Sequence, residues 1–150
     1  MSDTLSPAAL TRINDIIIAG PFGDHVGLSV DALEVDRVVV RMHGQPHIMN
    51  ALGIVHGGAT ATLLDTAATA AAWATPDAKP TTRGTTVALA INYIAAGKAG
   101  DMIAEGTVIS RGGTLTIVDV VARDTDGNIV AKAQATYKLD LARDRRLEAQ

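Results

Sequence analysis

The sequence predicts an α+β fold in which a six-stranded antiparallel sheet wraps around one long central helix, with a short helix at the N-terminus. Three observations carry this. Residues 59–74 form a run made almost wholly of Ala, Thr and Leu in which Asp65 is the one charge. Ala is the best helix former, and a helix that is apolar nearly all round expects burial. Six other segments alternate apolar and polar residues with the strand period of two. Finally, the Gly-containing turns between neighbouring segments make them antiparallel, whereas a parallel sheet needs more crossover helices than the chain supplies.

Taken in order, Ser6-Pro7 reads as an N-cap followed by Pro at the first helical position. Leu10, Ile13, Ile16 and Ile17 then recur at helical spacing, and Gly20 closes the segment. Val26, Leu28, Val30 and Ala32 alternate with Gly27, Ser29 and Asp31, and Val38, Val40 and Met42 with Arg37, Val39 and Arg41. A polar loop covers residues 43–53. Gly57-Gly58 opens the central helix, and Thr75-Pro76 stops it, because the residue before Pro avoids the helical region. Val87, Leu89, Ile91 and Tyr93 alternate with Thr86, Ala88, Ala90 and Asn92. Residues 102–110 and 115–123 flank the hairpin turn Arg111-Gly112-Gly113, and Asp126-Gly127-Asn128 turns into a last strand from Ile129 to Lys138. The charged tail after Leu139 is expected to fray.

Composition narrows the function. The 150 residues, 47% hydrophobic and 19% charged, suit one domain spanning 1–150 with a proper core. With aromatics at 3%, that core has to be aliphatic. A net charge of −3 without a basic stripe argues against bulk neutralisation of nucleic-acid phosphates. The lack of cysteine excludes disulfides, thiolate catalysis and Cys-based metal sites. Met1-Ser2-Asp3-Thr4 shows no basic region followed by an apolar one, so a cytoplasmic setting is expected. The 59–74 run is too weakly hydrophobic for a membrane span. His43 and His47 are four apart but lie around Pro46 with no matching carboxylate, so no metal is expected and no cofactor is implied; His25 reads as a surface residue.

Two features invite chemistry. Asp65 sits among Leu63, Leu64, Ala67 and Ala68. It is either a structural charge paired elsewhere or a carboxylate kept in a cleft for reaction, since an unpaired buried carboxylate is costly. Gly57-Gly58 either permits a sharp entry turn or leaves first-turn N–H groups bare to polarise a carbonyl oxygen, with the positive end of the helix dipole behind them. His56 and Asp65 are nine residues apart; on an ideal helix that is about 13 Å and roughly half a turn. If Gly57 and Asp65 act on one carbonyl they have to come from different subunits, which predicts a dimer with shared sites.

Asn50-x-x-Gly53-x-x-His56-Gly57-Gly58, with Asp65 seven residues after Gly58, resembles the signature of PaaI-type hotdog acyl-CoA thioesterases. The resemblance continues through residues 87–93 and 111–115 and covers roughly residues 25 to 139. It implies a hotdog fold, an acyl-CoA substrate, and a homodimer often paired into a tetramer. It further implies that the Gly57 N–H is the oxyanion donor and that Asp65 of the partner subunit is the general base or nucleophile. Asn50 would orient the water or thioester, His56 would shape the loop near the carbonyl, and Thr86 would stand beside the water. Tyr93, Ser110, Arg111, Gly112, Gly113, Thr114 and Lys138 match CoA-contacting positions, with Arg111 expected on a phosphate. Several members of that family carry a basic residue where this chain has Gly113 or Thr114. A hotdog hydratase or dehydratase usually pairs a catalytic His with an acid in another motif context, and a non-catalytic acyl-CoA sensor normally carries a second module. Neither pattern is present here.

Overall fold

The computed structural model describes residues 4–141; most of the tail expected to fray lies outside them. Ser6 caps the first helix, its Oγ accepting the Ala9 N–H at 3.1 Å, with Pro7 in the first turn. Helix α1 (Pro7–Thr11) runs into a π-wound segment, Arg12–Ile18, so the N-terminal helical reading holds while the winding changes midway. A second short helix, α2 (Pro21–Val26), not expected from the sequence, precedes the first strand and takes Val26, the first residue of the alternation that predicted that strand. Pro at its start and Gly27 at φ 72 beyond its end define it, and these are local signals that a period count over so few residues does not register.

Strands β1 (Leu28–Glu34) and β2 (Arg37–Met42) form a hairpin around Asp36, which sits at φ 63. The central helix α3 (Gly57–Trp73) follows. Then come β3 (Gly84–Tyr93), β4 (Met102–Arg111), β5 (Leu115–Arg123) and β6 (Ile129–Leu139). All five pairings are antiparallel, in the order β1-β2-β4-β5-β6-β3. This is the hotdog arrangement. It leaves β1 and β3 as the two edges. None of the described helices is long and apolar enough to cross a membrane.

The sheet curls round α3 because alternate residues of its strands point inward. Val38, Val40, Met102, Ala104, Val118 and Val120 pack with Leu63, Leu64, Ala67 and Ala71 in one buried cluster. Full burial of Leu63 and Leu64 is worth roughly 1.5–3 kcal/mol each. The Ala residues matter for a different reason, because they let helix and sheet approach closely. Gly106 on β4 sits so near α3 that a Cβ there would lie 2.6 Å from the Ala67 carbonyl oxygen and 3.2 Å from Ala71 Cβ.

The helix is not buried on every side, which corrects the expectation from its composition. Gly57 and Gly58 are exposed, and Ala61, Thr62, Asp65, Thr66 and Thr69 are half-buried. These recur every three to four residues and form one stripe beside β3. Gly106→Ala is expected to cost about 3 kcal/mol or more, since backbone cannot yield to the added methyl; urea unfolding of the variant against the parent measures it.

Candidate active site

The first turn of α3 is prepared by residues just ahead of it. His56 is the N-cap, and its Nδ1 accepts the Gly58 N–H at 2.8 Å. That bond requires an unprotonated Nδ1 and so puts the ring proton on Nε2. The Thr60 N–H bonds the His56 carbonyl at 3.0 Å. Among the described hydrogen bonds none uses the Gly57 N–H, which is left at the positive end of the helix. The Gly57 carbonyl accepts the Tyr93 hydroxyl at 3.1 Å. Tyr93 thus ties the end of β3 to the start of α3, with its ring against the glycine.

Asn50 organises the preceding loop. Its Oδ1 accepts the Leu52 N–H at 2.9 Å and lies 3.4 Å from the Ile54 nitrogen. With the oxygen so engaged, the side chain offers its amide N–H groups to whatever enters beside Gly57. Both residues line an open cleft of about 370 Å³, together with Ile54, Val55, Tyr93 and Val130.

Asp65 lies on the uncovered stripe of α3, and Thr86 donates its hydroxyl to Asp65 Oδ1 at 2.8 Å. The contact depends on a bulge. The β3–β6 register shifts between Thr86 and Ala88, so Thr86 faces the helix together with Leu89 and Ile91, which pack on the core, while Val87 is 58% exposed. A strict alternation would have put Thr86 and Leu89 on opposite faces; bulges commonly re-aim side chains next to functional groups. Thr86 pairs across the ladder with Tyr137, whose hydroxyl accepts the Trp73 indole N–H at 2.9 Å. Burial pushes the Tyr137 phenol up from its ordinary value.

Counted from Gly57, Asp65 is eight residues along α3, about 12 Å and roughly 80° around. Distance, rather than opposite facing, keeps the two groups of one chain from sharing a carbonyl.

Of the expected CoA contacts, Ser110, Gly112, Gly113 and Lys138 are exposed and Thr114 is half-buried. Leu115 and Thr85 both stand opposite Lys138, so these positions share one corner of the sheet, next to Thr86. Tyr93 lies at the other end of β3, opposite Ala131. Arg111 corrects its expectation. Its Nε and Nη2 bond Asp36 Oδ1 at 3.0 and 2.6 Å, and Nη1 donates to the Ala72 carbonyl at 2.9 Å. The guanidinium therefore caps the C-terminus of α3 and links it to the β1–β2 turn, with few donors left for a phosphate. Nothing near Arg111 in sequence announces Asp36.

The remaining histidines stand apart from this geometry. His25 is exposed and stacks on His47 with centroids 4.9 Å apart. His43 bonds Ser29 at 3.0 Å, in a surface network with Asp101 and Arg41. Asp101 is held below the usual carboxylate range by the Gly44 N–H and Arg41, against its partial burial.

Comparison with known proteins bears on what these groups do. The family model described as the thioesterase superfamily matches residues 52–131, more than half of the chain. The chain belongs to the thioesterase superfamily. It is 34% identical over 106 residues to acyl-coenzyme A thioesterase 13 of Homo sapiens, covering 69% of this chain and 73% of the human one. The fold matches a thioesterase family protein from Silicibacter pomeroyi with a TM-score of 0.79 at 23% identity, over 87% of this chain and 97% of that one. A thioesterase protein from Streptococcus pneumoniae, solved with coenzyme A, matches at 26% identity and a TM-score of 0.66, over 75% and 84% of the two chains. Like its superfamily, this protein is a thioester hydrolase.

Arg111→Ala is expected to destabilise the thioesterase by about 2 kcal/mol through loss of charged hydrogen bonds, read by urea denaturation. Surviving folded enzyme should keep its KM, since the guanidinium is engaged inward.

Proposed function

We propose that this thioesterase hydrolyses an acyl-CoA to the free acid and CoA, in an active site completed by a second copy of the chain. The observation that carries this reading is the Asp65 carboxylate. It is held by Thr86 on the one stripe of α3 that the protomer leaves uncovered. Beside that stripe runs β3, an edge strand paired only with β6 among the described strands. Unpaired edges call for a cover. A two-fold dimer laying two α3 helices antiparallel supplies one, and Ala61, midway between Gly57 and Asp65 on the stripe, allows close approach. Asp65 of one protomer then stands opposite Gly57 of its partner. Pairing of such dimers into tetramers is the natural extension.

The chemistry follows from these groups. With one carboxylate oxygen clamped by Thr86, the other is available to take a proton from water, or to attack the carbonyl itself. The free Gly57 N–H at the helix N-terminus meets the oxyanion as it forms, and the Asn50 amide donates to the thioester or the water. The CoA thiolate leaves with little acid help, since thiol pKa values lie near 8.5. Lys138 is exposed and in no described ion pair. It takes over the phosphate contact that Arg111 cannot make, with Ser110, Gly112, Gly113 and Thr114 around it. The relative solved with coenzyme A supports a CoA ester as substrate.

Asp65→Asn should fold and bind but lose turnover a hundredfold or more; kcat measured by thiol release against acyl-CoA checks this, and a parental kcat would make Asp65 structural. Sharing of the site is tested by mixing Asp65→Asn with Gly57→Pro, which lacks the donor N–H. After co-refolding, about half of the dimers are mixed and each holds one intact site, so activity should return to roughly a quarter of the parent's. Two variants that fold and exchange subunits yet stay dead together would mean that each site lies within one chain.

A further inference from the structure

The most exposed large apolar side chain among the described residues is Leu52, at 83%. It stands at the tip of the loop ahead of α3. The Met49–Val55 bridge closes that loop at its base, together with the Asn50 N–H, which donates to the Ile54 carbonyl at 2.8 Å. The carbonyls of Ala51, Leu52 and Gly53 accept none of the described hydrogen bonds. A Cβ added to Gly53 would meet nothing within 4 Å. The protomer thus holds out a loop with an apolar tip and open acceptors. One exposed Leu is ordinary on a surface, but a second feature of the protomer is shaped to receive this one.

That feature is a cavity of about 360 Å³ at the other end of α3. Pro7, Ala8, Thr11, Arg12 and Ile16 of the N-terminal helical segments line it together with Trp73. The Arg12 guanidinium lies 4.8 Å from the centre of the Trp73 ring. None of the described hydrogen bonds or ion pairs engages its N–H groups. The cavity therefore combines apolar surface with a fork of donors that suits carbonyl oxygens. Lys79 also lines it, which makes a phosphate the rival occupant.

The two-fold arrangement proposed above brings loop and cavity together. The uncovered stripe of α3 recurs every three to four residues, and beyond Thr69 its next step reaches Trp73. With the two helices antiparallel and Gly57 opposite Asp65, Trp73 is eight residues past Asp65 and falls opposite Met49, eight residues ahead of Gly57. The loop of one copy arrives where Trp73 of the other lines the cavity. Resting on that shared-site reading, we propose that the cavity receives loop 50–54 of the partner subunit, with the partner's Leu52 inserted beside Trp73 and Arg12 donating to the loop carbonyls. The occupant is a second copy of this chain, and the contact occurs twice in each dimer. It bears on the reaction because the Leu52 N–H bonds Asn50 Oδ1 at 2.9 Å, so docking fixes the loop that presents Asn50.

The chain contains no cysteine, so a disulfide trap has no background. Leu52→Cys is combined in turn with Ala8→Cys, Thr11→Cys and Ile16→Cys, and each double variant is oxidised and run on a non-reducing gel. A disulfide needs its two Cα atoms within about 7 Å. At least one pairing should give a covalent dimer that reductant abolishes. Leu52→Cys alone, or with Lys132→Cys on the exposed side of β6, should run as a monomer. Crosslinking of Leu52→Cys alone would put two loop tips together and overturn the proposal. Sedimentation of the parent separates the remaining failures. A dimer in which none of the three pairings crosslinks overturns the docking and leaves the shared site standing, whereas a monomeric parent removes both. If the double variants do not fold, Trp73 decides, as the one tryptophan of the chain. Leu52→Ala should raise acrylamide quenching of its fluorescence several-fold in the dimer, and unchanged quenching overturns the proposal. Shielding of Trp73 that appears in the parent only when coenzyme A is added gives the cavity to phosphate and overturns it as well.

Discussion

The closeness of α3 to the sheet is the constraint on which the other features depend. Two layers of ordinary side chains would hold a helix and a sheet about 10 Å apart. Here Ala67 and Ala71 face Gly106, and the β4 backbone approaches the Ala67 carbonyl so closely that a methyl group would not fit. The sheet can therefore curl tightly enough to pack on several sides of one helix, and a core poor in aromatics suffices to fill the space. Arg111 completes the arrangement by bonding the last carbonyls of the helix and tying them to Asp36 in the β1–β2 turn. Away from Ala67 and Ala71, the sheet does not close over α3, and a stripe of Gly, Ala and Thr around Asp65 is left uncovered.

On the proposed reading, that incomplete closure is where the chemistry sits. A helix wholly enclosed by its own sheet would have no place for Asp65 except as a buried charge, at high cost. On the open stripe the carboxylate keeps partial access to solvent, and one hydrogen bond from Thr86 fixes it without neutralising it. The N-terminus of the same helix is arranged with comparable economy. His56 satisfies the Gly58 N–H, Thr60 bonds the His56 carbonyl, and Tyr93 takes the Gly57 carbonyl. Among the described hydrogen bonds the Gly57 N–H is left over, and the bonds to its neighbours hold it in place. One helix thus offers an acid at its middle and a donor at its start, about 12 Å apart.

Much of the fold could be read from the residues, because its signals are long and periodic. The Ala-rich run with Pro76 behind it, and the alternation from Leu115 to Arg123 and from Ile129 onward, lie where the structure has α3, β5 and β6. What escaped was either short or distant. Helix α2 spans six residues, less than two turns, so its apolar positions cannot establish a period. The bulge after Thr86 is invisible because Val87, Leu89 and Ile91 alternate well, and nothing in that run of residues signals that the ladder slips by one there. Arg111 is expected on a phosphate from the family resemblance of its turn, and a guanidinium beside two glycines looks the same whether it faces a phosphate or Asp36, 75 residues earlier.

The uncovered stripe and the free edge of β3 form one surface, and their adjacency bears on how the site is built. Thr86 projects from the strand and Asp65 from the helix, and their hydrogen bond spans the boundary between the two elements. A second copy covering that boundary would pair the edge strand, bury the small residues of the stripe, and exclude bulk water from the carboxylate, all through one contact. Exclusion of water strengthens the hydrogen bonds and dipoles that act on a developing charge. Assembly and catalytic competence would then be the same event, because the surface that needs covering for stability is the surface that carries the carboxylate.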